Sequence, residues 1–181
     1  MELIKKGTVI AAVKSENFDS AVASEAQWII DLSPDLNTLS EKVEAAHNAG
    51  KKLLIHFDLA TGIGKDRSGM LYAKNAGVDG IISTRVNIIK LARQADIFTV
   101  QRFFIVDSHS IDTTIEALSA SKADMIEIMP GIIPKIIKSL AAEINTPIIA
   151  GGLIETEAEM SSVLEAGATA ISTGNKELWK K

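Results

Sequence analysis

The 181-residue chain is 46% apolar and 23% charged, the make-up of one globular domain with a sizeable core, which sets aside the disordered and fibrous classes. Its net charge of -4 and pI near 5.4 give no overall attraction to nucleic acid, so any such partner needs a local basic patch. Cysteine is absent, which excludes disulfides, thiolate metal sites and cysteine nucleophiles.

The start of the chain carries Lys5 and Lys6 before a short apolar run, too short for a signal-peptide core and far below a membrane span. A soluble cytoplasmic protein is expected. In chain order, runs rich in Ile, Val and Phe then read as strands: "TVIAAV" (8–13), "WIIDL" (28–32), "KLLIHFD" (52–58), "GIIST" (80–84), "RFFIVD" (102–107), "MIEIMP" (125–130), "PIIAGG" (147–152) and "AISTG" (170–174). Between them the apolar residues fall at helical spacing, as in Leu36, Leu39, Val43 and Ala46, in Ile88, Ile89, Leu91 and Ala92, and in Met160, Val163 and Leu164. Ser15, Ser33-Pro34 and Thr156 are start signals for the first, second and seventh helices. "NAGK", "NAGVDG" and "EAGATA" each place a Gly where a left-handed helix cap belongs.

Near-continuous apolar strands joined by helices imply a parallel sheet covered on both faces. Eight repeats of one βα unit favour a closed (β/α)8 TIM barrel forming one domain over residues 1–181, with an open doubly wound sheet as the alternative. Each unit has only about 22 residues, so helices must be short and loops tight, with no inserted second domain. The stretch "ADIFTVQRFFIVD" admits either a longer fourth helix or a ten-residue strand. A strand of ordinary length starting near Arg102 is expected.

In a parallel barrel the strand C-termini share one rim, and the loops after strands seven and eight are neighbours. Gly151-Gly152 and Gly174-Asn175 therefore lie side by side, each just before a helix. Their unpaired N–H groups, with two helix dipoles behind them, suit a phosphate. Taken singly, either pair reads as a plain turn. "TGIGKD" (61–66) fails as a nucleotide loop, because no Gly stands five positions before Gly64 and Asp66 occupies the magnesium-binding Ser/Thr position. It reads as an exposed loop that can fold over the site.

Lys14, Asp31, His56, Asp58, Arg85, Asp107, His109 and Glu127 fall at or just beyond the predicted strand ends. His56 reads either as a hydrogen-bonded core residue or as a ligand contact. Asp58, followed by Gly62 and Gly64, is placed to bind hydroxyls. Glu127 lies between two Ile residues, and a carboxylate inside a barrel is costly unless paired, so a structural partner or a ligand must meet it. Lys14 and Arg85 are candidates to neutralise a phosphate dianion, with solvated surface charge as the ordinary alternative. Asp107, Ser108 and His109 are consecutive and point in different directions, which rules out a relay. A Schiff-base enzyme would have only Lys14 at a strand end. With three His in the chain, and His47 on a helix, no metal site is expected. No catalytic set and no cofactor are expected.

The blocks "IHFDLATGIGKD", "GIISTRVNIIKLARQ", "FTVQRFFIVDS", "IEIMPGIIPKII" and "PIIAGGLI" followed by "AISTGN" resemble those of the glycerol uptake operon antiterminator family, the glycerol-3-phosphate-responsive regulators of bacteria. The resemblance runs from "VIAAVKSE" to "STGNKELW". It implies a compact barrel that binds glycerol 3-phosphate and acts on leader mRNA, preventing transcription termination ahead of glycerol-use genes. The alternative is an isomerase or lyase acting on a small phosphorylated polyol or sugar. Carried over by position, Gly151, Gly152, Gly174 and Asn175 take the phosphate, and Asp58 and Glu127 face the glycerol hydroxyls, with His56 a third candidate. RNA contact must then reside in a patch, for which the candidates are Arg85, Lys90 and Arg93 on the fourth helix, Arg102 after it, and Lys135 and Lys138 on the sixth. Lys90 and Arg93 are three apart and share a helical face, as do Lys135 and Lys138. The phosphate is expected to order the loops around Gly62, Gly131, Gly152 and Gly174, shifting the barrel, or a homo-oligomer of it, toward an RNA-competent state.

Overall fold

The computed structural model describes residues 4–180, so residues 1–3 and 181 of the expected domain lie outside it. Eight parallel strands close into a barrel in sequence order: β1 (Thr8–Val13), β2 (Trp28–Asp31), β3 (Lys52–His56), β4 (Gly80–Ser83), β5 (Phe98–Phe104), β6 (Met125–Met129), β7 (Ile148–Gly151) and β8 (Ala170–Thr173), with β8 pairing back to β1. The alternative of an open sheet is thereby excluded.

Helices α1 (Phe18–Val22), α2 (Leu39–Asn48), α3 (Arg67–Asn75), α4 (Val86–Gln94), α5 (His109–Ser121), α6 (Pro134–Glu143) and α7 (Glu157–Glu165) follow the first seven strands. A 3-10 turn, Lys176–Lys180, stands where an eighth helix would be. It buries Leu178 and Trp179, and the Trp179 indole donates to the Thr173 carbonyl at 2.9 Å. A few residues thus close the outer layer. No helix among the described residues is long and apolar enough to cross a membrane.

Strand side chains alternate between the two faces of the sheet. One set, including Ile10, Ile30, Leu54, Ile82, Val100 and Ile149, fills the barrel interior around the Trp28 and Phe98 rings, whose centroids are 6.1 Å apart. The other set, including Ile29, Ile55, Ile81 and Ile171, packs outward under the helices. Both faces are buried, which is why the strands are almost wholly apolar.

Two boundaries differ from the sequence expectation. The fifth strand begins at Phe98, not near Arg102, and its seven residues accept polar Thr99, Gln101 and Arg102, all buried. The second helix begins at Leu39 after Thr38, five residues beyond the Ser33-Pro34 signal. Those intervening residues are held across the rim instead, by a bridge between Asp35 and Thr61. The glycine caps stand as expected, Gly50, Gly77 and Gly167 all having positive φ. Thr156 caps α7 in a reciprocal capping box with Glu159.

Candidate functional site

The strand alternation that fills the barrel with apolar side chains also sets what lies above them. Two residues beyond Leu54, Val100, Met125 and Ala170 come His56, Arg102, Glu127 and Ser172, which share their inward face one layer nearer the C-terminal rim. Arg102 and Glu127 are partners in the β5–β6 ladder. Arg102 Nε donates to Glu127 Oε2 at 2.5 Å, and the Ser172 hydroxyl donates to Glu127 Oε1 at 2.5 Å. The carboxylate that the sequence required to be paired is therefore paired from both sides, while itself fully buried. Gly151 is the inward residue of β7 at this level, and a Cβ there would lie 2.5 Å from Glu127 Oε1 and 2.6 Å from Ser172 Oγ. Its missing side chain is the space the carboxylate occupies.

His56 is buried in the same layer, and its Nδ1 has no hydrogen-bond partner among the described residues. Burial, and then the Arg102 guanidinium, hold the imidazole below its ordinary pKa despite the opposing pull of Asp58 and Glu127. The ring is neutral at pH 7. Neither Nη1 nor Nη2 of Arg102 finds a protein acceptor among the described residues.

At the rim, Gly152 (φ 77°) and Leu153 (φ 60°) are consecutive left-handed residues. A bulky residue in that region is uncommon and strained. Among the described residues, no acceptor is found for the N–H groups of Gly152, Leu153 and Gly174. A cleft of about 360 Å³ lies against this corner, lined by Leu153, Ile154, Glu155, Thr173, Gly174 and Asn175. Two parts of the expected arrangement differ. The side chain of Asn175 is committed to the main chain, Nδ2 donating to the Glu155 carbonyl at 2.7 Å and Oδ1 accepting from the Glu177 N–H at 3.0 Å. It ties the β7 and β8 loops together. The start of α7 lies beyond Thr156 and carries Glu157 and Glu159 in its first turn, so its positive end is already answered by the capping carboxylate. Loop amides, not helix dipoles, are what the corner offers.

Asp58, on the 3-10 turn Phe57–Leu59 after β3, accepts from the Ser83 hydroxyl at 2.7 Å, the Thr84 N–H at 2.8 Å and the Thr84 hydroxyl at 3.0 Å. Burial pushes its pKa up, but these bonds outweigh that and hold it below the ordinary aspartate value. Its carboxylate is taken up by hydroxyls of the protein itself, those of Ser83 at the end of β4 and Thr84 just beyond it. "TGIGKD" is similarly fastened: Lys65 Nζ donates to the carbonyls of Ala60 and Ile63, and Asp66 caps α3 by accepting from the Gly69 N–H.

Lys14 and Arg85 are exposed at the rim, at the first residues after β1 and near the start of α4. Lys90, Arg93, Lys135 and Lys138 are exposed on α4 and α6, but α5 follows between them and the two pairs do not form one patch. Arg93 is in addition bonded to Asp124 at 2.8 Å. Arg102 does not belong to this surface: it is 8% exposed and engaged inside the barrel. Asp107 and His109 form no relay, since Asp107 accepts from Ser110 at the start of α5. Among the described residues no group of three or more His, Cys, Asp or Glu is placed to hold a metal ion. Inward roles for Arg102 and Ser172 were missed by sequence reasoning; counting by twos from Val100 and Ala170 finds both.

Comparison with known proteins settles the lineage. The profile of the family described as "Glycerol-3-phosphate responsive antiterminator" matches residues 9–179. The chain belongs to that family. This antiterminator-family chain is 37% identical over 181 residues to YgcP, an uncharacterized protein of Escherichia coli K12, covering 99% of this chain and 95% of the relative. The crystal structure of a glycerol uptake operon antiterminator regulatory protein from Listeria monocytogenes superposes on it with a TM-score of 0.92, at 32% identity and 99% coverage of each chain. That of an antiterminator-related protein from Thermotoga maritima gives 0.87, at 31% identity, covering 98% of this chain and 99% of that one. A deoxyribose phosphate aldolase from Aeropyrum pernix, with a TM-score of 0.73 at 15% identity over 95% of this chain and 87% of its own, shares the fold alone.

Proposed function

We propose that this chain is a cytoplasmic sensor of glycerol 3-phosphate that acts on leader mRNA to prevent transcription termination ahead of glycerol-use genes. The observation that carries the ligand half is the β7–β8 corner. There the amides of Gly152, Leu153 and Gly174 have no acceptor among the described residues, and Leu153 and Gly174 line a cleft of about 360 Å³. Loop amides of this kind cradle phosphate oxygens. Exposed Lys14 and Arg85 at the same rim supply positive charge for the dianion, and the polar layer below, where Glu127 is already met by Arg102 and Ser172, offers His56 as a partner for hydroxyls. Against a Schiff-base aldolase stands the placement of lysine. The strand lysine Lys52 opens β3 at the opposite end and pairs with Asp79 at 2.9 Å, while Lys14 points from an exposed rim position.

The RNA half rests on family membership and on the exposed cations of α4 and α6. Calorimetry with glycerol 3-phosphate tests the first half, and leader-RNA affinity with and without the ligand across a salt series tests the second. A ligand that binds but leaves RNA affinity unchanged overturns the switch. A salt slope unaltered when Lys90 with Arg93, or Lys135 with Lys138, are replaced by Gln overturns that surface.

A further inference from the structure

The rim corner accounts for a phosphate but not for the polar layer beneath it. A barrel of this size is filled by apolar side chains, as its lower layers are. One level below the rim, however, stand an ion pair and a histidine, all nine-tenths buried. Glu127 is fully met by Arg102 and Ser172. The other two members are not. Among the described residues, Arg102 bonds to the protein through Nε alone, and His56 Nδ1 is buried without a partner. Buried polar atoms are nearly always satisfied, and an orphan in an otherwise satisfied cluster marks a place for something not made of this chain.

We propose that Arg102 and His56 are the specificity-determining residues of the ligand site, and that they select a small phosphate whose other end is an uncharged polyol. The proposal rests on the reading that the phosphate sits at the β7–β8 corner. Continuity links the two: Gly151, whose absent side chain makes room for the Glu127 carboxylate, is followed directly by the unpartnered Gly152 amide. Gly151 thus belongs to the polar layer and Gly152 to the phosphate corner, so the two meet at consecutive residues at the end of β7.

Charge selects the class. Arg102 and Glu127 sum to zero, and His56 is held neutral by its surroundings. Hydroxyls entering this layer accept from the free amino groups of Arg102, exchange a hydrogen bond with His56, and bring no charge to be balanced. A carboxylate in the same place would be a second anion facing a single cation already paired, away from water. A methyl group would offer nothing to His56 Nδ1 or to the amino groups of Arg102, and sites built to hydrogen-bond a substrate reject analogues that lack the group. Asp58 takes no part, because its oxygens are turned to Ser83 and Thr84.

The test is calorimetry on the full chain with four probes: glycerol 3-phosphate, glycerate 3-phosphate, propyl phosphate and inorganic phosphate. Glycerol 3-phosphate is expected to bind at least tenfold more tightly than each of the other three. In His56→Leu, and in Arg102→Lys if it folds, affinity for glycerol 3-phosphate is expected to fall to the level of propyl phosphate, with propyl phosphate itself unchanged. Equal binding of glycerol 3-phosphate and propyl phosphate to the unaltered protein would overturn the inference and leave the phosphate corner standing. Binding of glycerate 3-phosphate as tight as that of glycerol 3-phosphate would overturn it as well. If none of the four binds, the phosphate corner is itself wrong and the inference goes with it.

Discussion

Arg102 and Glu127 face each other across β5 and β6, their Cα atoms paired in the ladder and their side chains joined inside the barrel at 2.5 Å. Such a pair is dear to break and cheap to replace whole. Removing one member strands the other charge away from water, at about 3–5 kcal/mol, whereas replacing both by apolar residues is often neutral. Glu127→Met and Arg102→Met are each expected to lower the urea midpoint sharply. The double variant should recover most of that loss. If instead the two losses add, the residues do not act as a pair.

The strands were legible because both of their faces are buried, and near-continuous Ile and Val runs are the mark of that environment. Where polar residues enter a strand, the pattern failed. Thr99, Gln101 and Arg102 interrupt the apolar run, so β5 read as starting four residues late. Ser33-Pro34 carried a local helix-start signal that a distant contact, Asp35 with Thr61, overrides. The candidate site divides in the same way. The glycine-ended turns after β7 and β8 were visible because turn chemistry is local. The partner of Arg102 lies 25 residues away, and no local pattern announces it.

Two rim glycines separate packing from ligand approach. A Cβ at Gly151 would meet Glu127 Oε1 at 2.5 Å and Ser172 Oγ at 2.6 Å, whereas one at Gly174 would meet only the Ala12 carbonyl, at an ordinary 3.5 Å. Gly151→Ala is therefore expected to cost about 1–3 kcal/mol of stability through overpacking. Gly174→Ala should stay within about 0.5 kcal/mol of the parent in the same denaturation assay. Any loss of phosphate binding in Gly174→Ala then reports on the approach to the amide alone.

Asp58 fastens the β4–α4 loop through three accepted hydrogen bonds. Asp58→Ala leaves their donors to find water or go unmet, at a cost of about 1–3 kcal/mol. The sign of the pH dependence follows from its lowered pKa. The stability Asp58 contributes is complete above the unfolded value of about 3.9, and is lost as pH falls from there through the folded value. The gap between parent and Asp58→Ala in denaturant titrations should be full at pH 7 and should narrow on acidification below that point. A gap of constant size would mean that the carboxylate charge does not matter to the loop.

His56 titrates in a higher window with the same sign. Its pKa is lowered in the folded chain by burial and by Arg102, while the unfolded chain protonates a histidine near pH 6.5. Below about 6.5 the unfolded state therefore binds a proton that the native state refuses, and stability falls, by at most about 1.4 kcal/mol per pH unit for one group, until the folded value is reached. Above about 6.5 both states are neutral and His56 adds no slope. His56→Leu should therefore reduce the slope when unfolding free energies are compared across that window. An unchanged slope would place the buried proton acceptor elsewhere. It would also take away the neutrality of the layer on which selection of an uncharged polyol depends.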